Sequence, residues 1–91
     1  MTPDAPAAAS TTLRYWAAAR AAAGIASEQT SARTLAEALL LARSVRDDRF
    51  TQVLAMCSFV VDGDPVGARD HAAVLLPAGA LVDVLPPFAG G

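Results

Sequence analysis

Apolar and polar positions alternate near the start of this chain, recur at helical spacing in its middle, and alternate again towards its end. Leu13, Tyr15 and Ala17 fall on one side of an extended segment, with Arg14 and Trp16 on the other, so a strand is expected to begin near Thr12. Residues 18–23, five alanines and Arg20, should form a short helical turn that Gly24 ends. Residues 26–32 alternate weakly and are polar, as suits a second strand with a solvated face. Thr34 and Glu37 have the spacing of a capping box, and Leu35, Ala38, Leu39, Ala42 and Val45 then form an apolar stripe. This predicts a helix over 34–46, with Arg43 and Arg46 on other parts of its circumference. Residues 47–52 read as a polar connection and 53–61 as an apolar stretch with a β-rich end. Asp62-Gly63 is a preferred pair for a tight hairpin turn, with Pro65-Val66-Gly67 starting a short return arm. Residues 69–74 fit no one element. Pro77-Ala78-Gly79-Ala80 is a turn, and 81–85 is a last strand that Pro86 and Pro87 stop, since neither can donate to a sheet ladder.

The order strand, helical turn, strand, helix, hairpin, strand predicts an α+β roll, without fixing the strand order. Its expected organisation is a leader over 1–11, a folded domain over 12–85 and a C-terminal tail over 86–91. A chain of 91 residues holds one small core and no second domain. The apolar fraction of 54% excludes a wholly disordered chain. The longest apolar runs, such as 38–42, are far too short to cross a membrane. The leader lacks the basic start and leucine-rich centre of a signal peptide.

Charge removes further classes. Seven arginines, no lysine and nine acidic residues leave a net charge of −2, which argues against a phosphate-tracking nucleic-acid binder. With no lysine the chain cannot form a lysine Schiff base or be modified on a lysine side chain. Cys57 is the one cysteine, so an internal disulfide is impossible and a reducing, cytoplasmic setting is expected.

Conventional catalytic groups are missing. His71 stands beside Asp70 in what reads as a solvated loop, with no nucleophile at a recognisable spacing. Cys57, next to Met56 in an apolar stretch, reads as a packing residue. Asp62 and Asp64 are explained by the hairpin, and the glycines form no phosphate-binding loop. No metal site and no intrinsically bound cofactor are expected. The terminus is different: the sequence closes on Pro86-Pro87-Phe88-Ala89-Gly90-Gly91. The segment Ala89-Gly90-Gly91 has almost no side-chain bulk, and 88–91 reach roughly 13 Å when extended. A channel just wide enough for bare backbone would admit it. The Gly91 carboxylate is then the candidate reactive group, an anion at neutral pH with a terminal pKa of about 3.3–3.7, which must be activated before anything can add to it. No group in this chain can activate it, so a partner would have to do so. A plain interaction module, whose glycines carry no chemistry, stays open on the residues alone.

Three stretches resemble the ubiquitin-like sulfur-carrier family (MoaD/ThiS), and within it the small subunits of molybdopterin synthase. They are Leu13-Arg14-Tyr15-Trp16-Ala17-Ala18-Ala19-Arg20 with Gly24, the capped helix start Thr34-Leu35-Ala36-Glu37-Ala38-Leu39, and the ending from Leu81 to Pro-Pro-x-x-Gly-Gly. The resemblance covers residues 12–91. Two stretches depart from it: Pro77-Ala78-Gly79-Ala80 stands where an acidic turn is common, and Val61-Asp62 where Val-Asn is expected.

The resemblance implies a β-grasp fold, a mixed sheet of four to five strands packed on one main helix. It also implies a non-catalytic, sulfur-donating role. A ubiquitin-activating-like enzyme would use ATP to adenylate Gly91, and a sulfur donor would convert the adenylate to a thiocarboxylate. The tail, with Pro86, Pro87, Phe88, Ala89 and Gly90 as its docking residues, would then enter the large subunit of molybdopterin synthase. There sulfur passes to a cyclic pyranopterin precursor (precursor Z) of the molybdenum cofactor, in an expected assembly of two small and two large subunits. The alternatives are a carrier for thiamine-thiazole or cysteine biosynthesis, and a ubiquitin-like protein modifier.

Overall fold

Two strands that lie at opposite ends of the sequence run side by side through the centre of this protein. The computed structural model describes residues 10–87. In chain order it contains β1 (Thr11–Tyr15), α1 (Ala17–Ala23), β2 (Ser27–Thr30), α2 (Leu35–Ser44), α3 (Asp48–Ala55), β3 (Ser58–Val61), β4 (Asp64–Pro65), a 3₁₀ turn (His71–Ala73) and β5 (Leu81–Leu85). The strands form one mixed sheet in the order β2-β1-β5-β3-β4. β1 and β5 are parallel and the other neighbours antiparallel. β5 is therefore a central strand, and the prolines that follow it close a strand end in mid-sheet, where no further ladder donor is needed.

The expected alternation holds in the central strands. Leu13 and Tyr15 of β1 and Val82 and Val84 of β5 are buried on one face, with Phe59 of β3 beside them. Buried residues of all three helices join this face in a single core: Ala19 from α1, Leu35, Ala38, Leu39 and Ala42 from α2, and Phe50 and Leu54 from α3. Thr11 is wholly buried as well, and Ser10 O accepts from Gly79 N at 2.8 Å. β1 thus starts at Thr11, the last residue of the segment 1–11 expected to be a leader, and that first residue already packs in the core. Residues 1–9 lie outside the described region.

Local chemistry explains the element ends. Thr34 Oγ1 accepts from Glu37 N at 3.1 Å, while Glu37 Oε1 accepts from Arg33 N at 2.9 Å, so the capping box reaches one residue further back than its usual form. Gly24 ends α1 with φ 81°, its N–H donating to Arg20 O. Asp62 and Gly63 both have positive φ, at 50° and 82°, as a two-residue type I′ hairpin turn requires. Asp62 Oδ1 also accepts from Leu81 N at 2.9 Å, which ties the hairpin to the start of β5.

Three expectations are corrected. Ala17 does not continue β1; with φ 47° it turns the chain into α1. Residues 48–55 form α3 where a polar connection running into an apolar stretch was expected. Asp47 caps this helix by accepting from Phe50 N at 3.1 Å, and Phe50 and Leu54, four apart, bury one face of it. The main helix ends at Ser44, which leaves Val45 74% exposed and swings Arg46 towards the core.

Arg46 is the principal consequence of that early end. Its Nη1 lies 2.8 Å from Glu28 Oε2 on β2 and donates to Ala42 O of α2 at 2.9 Å, while Nε donates to Ala23 O of α1 at 3.2 Å. The guanidinium also stacks 4.8 Å from the Phe50 ring centroid and 5.5 Å from that of Tyr15. Tyr15 in turn donates its hydroxyl proton to Glu28. Burial alone would raise the pKa of Glu28, but the hydrogen bonds from Arg46 and Tyr15 outweigh it and hold the carboxyl below its ordinary range. Burial, reinforced by Glu28, pushes the Tyr15 phenol up.

Arg46→Ala is expected to lower stability by about 2–3 kcal/mol in urea unfolding at neutral pH, by removing one of the two donors to Glu28, its cationic partner, and the donor to two helix-end carbonyls. A depressed carboxyl contributes stability above its unfolded pKa that is lost as pH falls through the folded one. The wild type should therefore lose the Glu28 contribution below about pH 4.5, its unperturbed value, and Arg46→Ala should show a smaller loss across the same acid range.

Candidate functional site at the end of the last strand

β5 runs from Leu81 to Leu85 into Pro86, which is buried, and Pro87, which is exposed. The strand end is held by its central position: Trp16 N donates to Val84 O at 3.2 Å, and Val84 is also paired with Phe59 of β3. Of the residues expected to dock or react, Pro86 and Pro87 are therefore at the root of the tail. Phe88, Ala89, Gly90 and Gly91 lie outside the described residues.

The solvent face of the sheet beside this root carries a charged cluster that sequence reading did not assemble. Arg14 of β1 stands directly opposite Asp83 of β5 in the parallel register. Arg14 Nε donates to Asp83 Oδ1 at 2.6 Å and Nη2 to Oδ2 at 3.3 Å, a two-pronged contact. Trp16 Nε1 donates to the same Oδ1 at 2.8 Å, and the Arg14 guanidinium lies 5.0 Å from the Trp16 ring centroid. Three side chains thus lock each other, and Trp16 is held in place although 44% of its surface is exposed. The Arg14 hydrogen bond, aided by that of Trp16, holds the Asp83 carboxyl below the usual range, and Asp83 raises Arg14. The alternation of β1 put Arg14 and Trp16 on the outer face; only the parallel pairing of β1 with β5 brings Asp83 to them.

The other candidate groups have structural roles. His71 is not in a solvated loop: it lies in the 3₁₀ turn, half-buried, with its ring edge-on to Phe59 at 5.2 Å. Asp70 caps that turn by accepting from Ala72 N at 3.2 Å. Cys57 is half-buried against the core and its thiol donates to Val53 O at 3.3 Å. Burial pushes the thiol pKa up, the opposite of what an attacking thiolate needs. Asp62 serves the β5 start, and Asp64 lies 3.4 Å from Arg69, so the two do not work as a carboxylate pair. Among the described residues no three His, Cys, Asp or Glu side chains gather to hold a metal ion. No helix among them is long and apolar enough to cross a membrane.

Trp16 is the one tryptophan of the chain, so its fluorescence reports the cluster directly. Asp83→Asn should red-shift its emission and lower its anisotropy at neutral pH. Stability should change by no more than about 1 kcal/mol, as for other exposed ion pairs. In the wild type the constrained signal should persist on acidification and fade only below about pH 3.8, the unperturbed Asp value.

No family model matches this chain, and no curated protein matches it by sequence. Solved structures do. The small archaeal modifier protein 1 (SAMP1) of Methanosarcina acetivorans superposes with a TM-score of 0.77 at 18% identity, over 91% of this chain and 97% of that one. The Haloferax volcanii HVO 2177 protein gives 0.71 at 25% identity, over 90% and 86%. A chain from the complex of subunits 1 and 2 of the Helicobacter pylori molybdopterin-converting factor gives 0.67 at 17%, over 90% and 99%. Likeness across nearly the whole length of these chains, together with the mixed five-stranded sheet packed on helices, assigns this protein a ubiquitin-like β-grasp fold.

Proposed function

We propose that this protein carries activated sulfur on the Gly91 carboxylate and acts as the small subunit of a molybdopterin synthase. The observation that carries the reading is the course of β5, a strand hydrogen-bonded on both sides that leads straight into Pro86-Pro87 and the side-chain-poor end of the chain. A tail rooted in mid-sheet has a fixed point of departure, and the locked Trp16 cluster stands beside that point as a docking face.

The chemistry follows from the terminal group. A Gly91 carboxylate oxygen attacks the α-phosphorus of ATP on an adenylating enzyme, and pyrophosphate leaves. Sulfur from a donor then adds to the acyl carbon and AMP departs, which leaves a thiocarboxylate. In the large subunit the thiocarboxylate gives up its sulfur to the pyranopterin precursor, and hydrolysis returns the carboxylate. The likeness to a subunit of a two-subunit molybdopterin-converting factor supports a large-subunit partner. A second reading is supported by the likeness to SAMP1, named as a modifier: Gly91 would instead form an amide with a lysine of another protein. Carriers serving thiamine-thiazole or cysteine synthesis share the same terminal chemistry.

Intact-mass and peptide analysis of the protein from cells separates these readings. A terminus heavier by the difference between sulfur and oxygen supports the carrier, and branched Gly-Gly peptides on other proteins support the modifier. In a reconstituted assay with adenylating enzyme, ATP, sulfide and large subunit, deleting Gly91 should abolish product with folding intact. It shortens the tail by about 3.4 Å, and a displacement of even about 1 Å can cost 100-fold in rate. Gly90→Val should act nearly as strongly. His71→Ala and Cys57→Ser should transfer sulfur normally, and product from the Gly91 deletion would remove the basis of the carrier reading. Phe88→Ala should weaken large-subunit binding by about 2 kcal/mol, as interface aromatics do, with the melting temperature unchanged.

A further inference from the structure

The two edges of the sheet are built differently. β4 is two residues long, includes Pro65, and is covered by Arg69, which donates to Pro65 O at 2.9 Å and pairs with Asp64. These are common ways of blocking an edge. Among the described residues β2 has no such guard: its sequence is Ser-Glu-Gln-Thr, without proline or basic residues. Its one charge is already neutralised, because Glu28 is turned to the helical face and paired with Arg46.

The free backbone groups of β2 can be assigned. Tyr15 N donates to Ala26 O at 2.8 Å, so the hydrogen-bonded pairs alternate through Leu13–Glu28 and Thr11–Thr30. The N–H and C=O of Ser27 and Gln29 therefore point away from β1, out of the sheet. Next to this edge runs a groove between β2 and α2, lined on the helix by Leu41 and Val45, which are 44% and 74% exposed. An electrically neutral edge beside two exposed apolar side chains complements a surface of the same kind.

The geometry points to a second copy of this chain as the occupant, joined β2 to β2 in antiparallel fashion into one ten-stranded sheet. Two-fold symmetry leaves few registers. An axis through Glu28 would set the two Glu28 side chains, each already engaged by Arg46 and Tyr15, directly against one another. An axis through Gln29 instead sets Gln29 against Gln29 and Ser27 against Ser31, with Glu28 opposite Thr30. In this register the outward N–H and C=O groups of Gln29 pair with their symmetry mates, and those of Ser27 face Ser31, the residue just after β2. The two-fold stands perpendicular to the sheet, so both α2 helices lie on the same side and bring Leu41 and Val45 of each copy to the seam. The Trp16 cluster and the Pro86-Pro87 root stay outside this contact.

Sedimentation equilibrium of the full chain from about 10 μM to 1 mM tests the proposal. A concentration-dependent monomer–dimer equilibrium is expected, with amide exchange at Ser27 and Gln29 slowing as dimer forms. Gln29→Pro, which removes an outward N–H, and Val45→Glu, which places like charges at the seam, should each weaken dimerisation at least about tenfold, with melting temperatures preserved. Trp16→Ser, on the other face of the sheet, should dimerise as the wild type does. A chain that stays monomeric at 1 mM overturns the proposal. So does a dimer whose Ser27 and Gln29 amides exchange no more slowly than in the monomer, or one lost in Trp16→Ser and kept in Val45→Glu.

Discussion

The guanidinium of Arg46 is the point at which the helical layer and the sheet are joined. It meets the carbonyl ends of two helices, the carboxylate of an edge strand and the faces of two aromatic rings. A positive charge is expensive to bury unless every donor finds an acceptor, and here the partners come from elements far apart in the chain. Lysine would not replace it, since a point charge cannot reach in several directions and stack on two rings at once. The short stop of α2 at Ser44 follows from the same contact: another helical turn would carry Arg46 away from Glu28.

The rest of the molecule follows from a division of the sheet into two faces. One face meets three helices and is apolar; the other carries Arg14, Asp83 and Trp16 in a network of charge-assisted hydrogen bonds. A core of this size fills one layer, so under the proposed carrier role what the fold offers a partner is a firm surface and a fixed starting point for the tail. Preorganisation of Trp16 lowers the entropy lost when an exposed aromatic is immobilised on binding.

Much of the fold was legible because local rules were strong. The capping pair Thr34 and Glu37, the Gly24 stop, the Asp62-Gly63 turn and the proline ending of β5 each act within a few residues, and each stands where the sequence placed it. α3 was missed because the cue of Asp47 with Phe50 and Leu54 is short and sits between charged residues that read as a connection. Arg46 was assigned to the helix surface on the assumption that the helix ran its full apolar stripe, and a long polar side chain gives no local sign that it will fold back.

The sequence by itself determined most of the strands, the first two helices, where the principal turns fall, and which face of β1 and β5 turns inward, because propensity, capping and alternation are properties of neighbouring residues. It also set out the terminal Pro-Pro-x-x-Gly-Gly pattern. Only the tertiary structure decided that β5 pairs in parallel with β1, that Arg14 and Asp83 therefore face each other, and that Arg46 turns inward to Glu28. Those contacts join residues between 18 and 69 positions apart, and such pairings depend on how whole elements pack, which no local window contains.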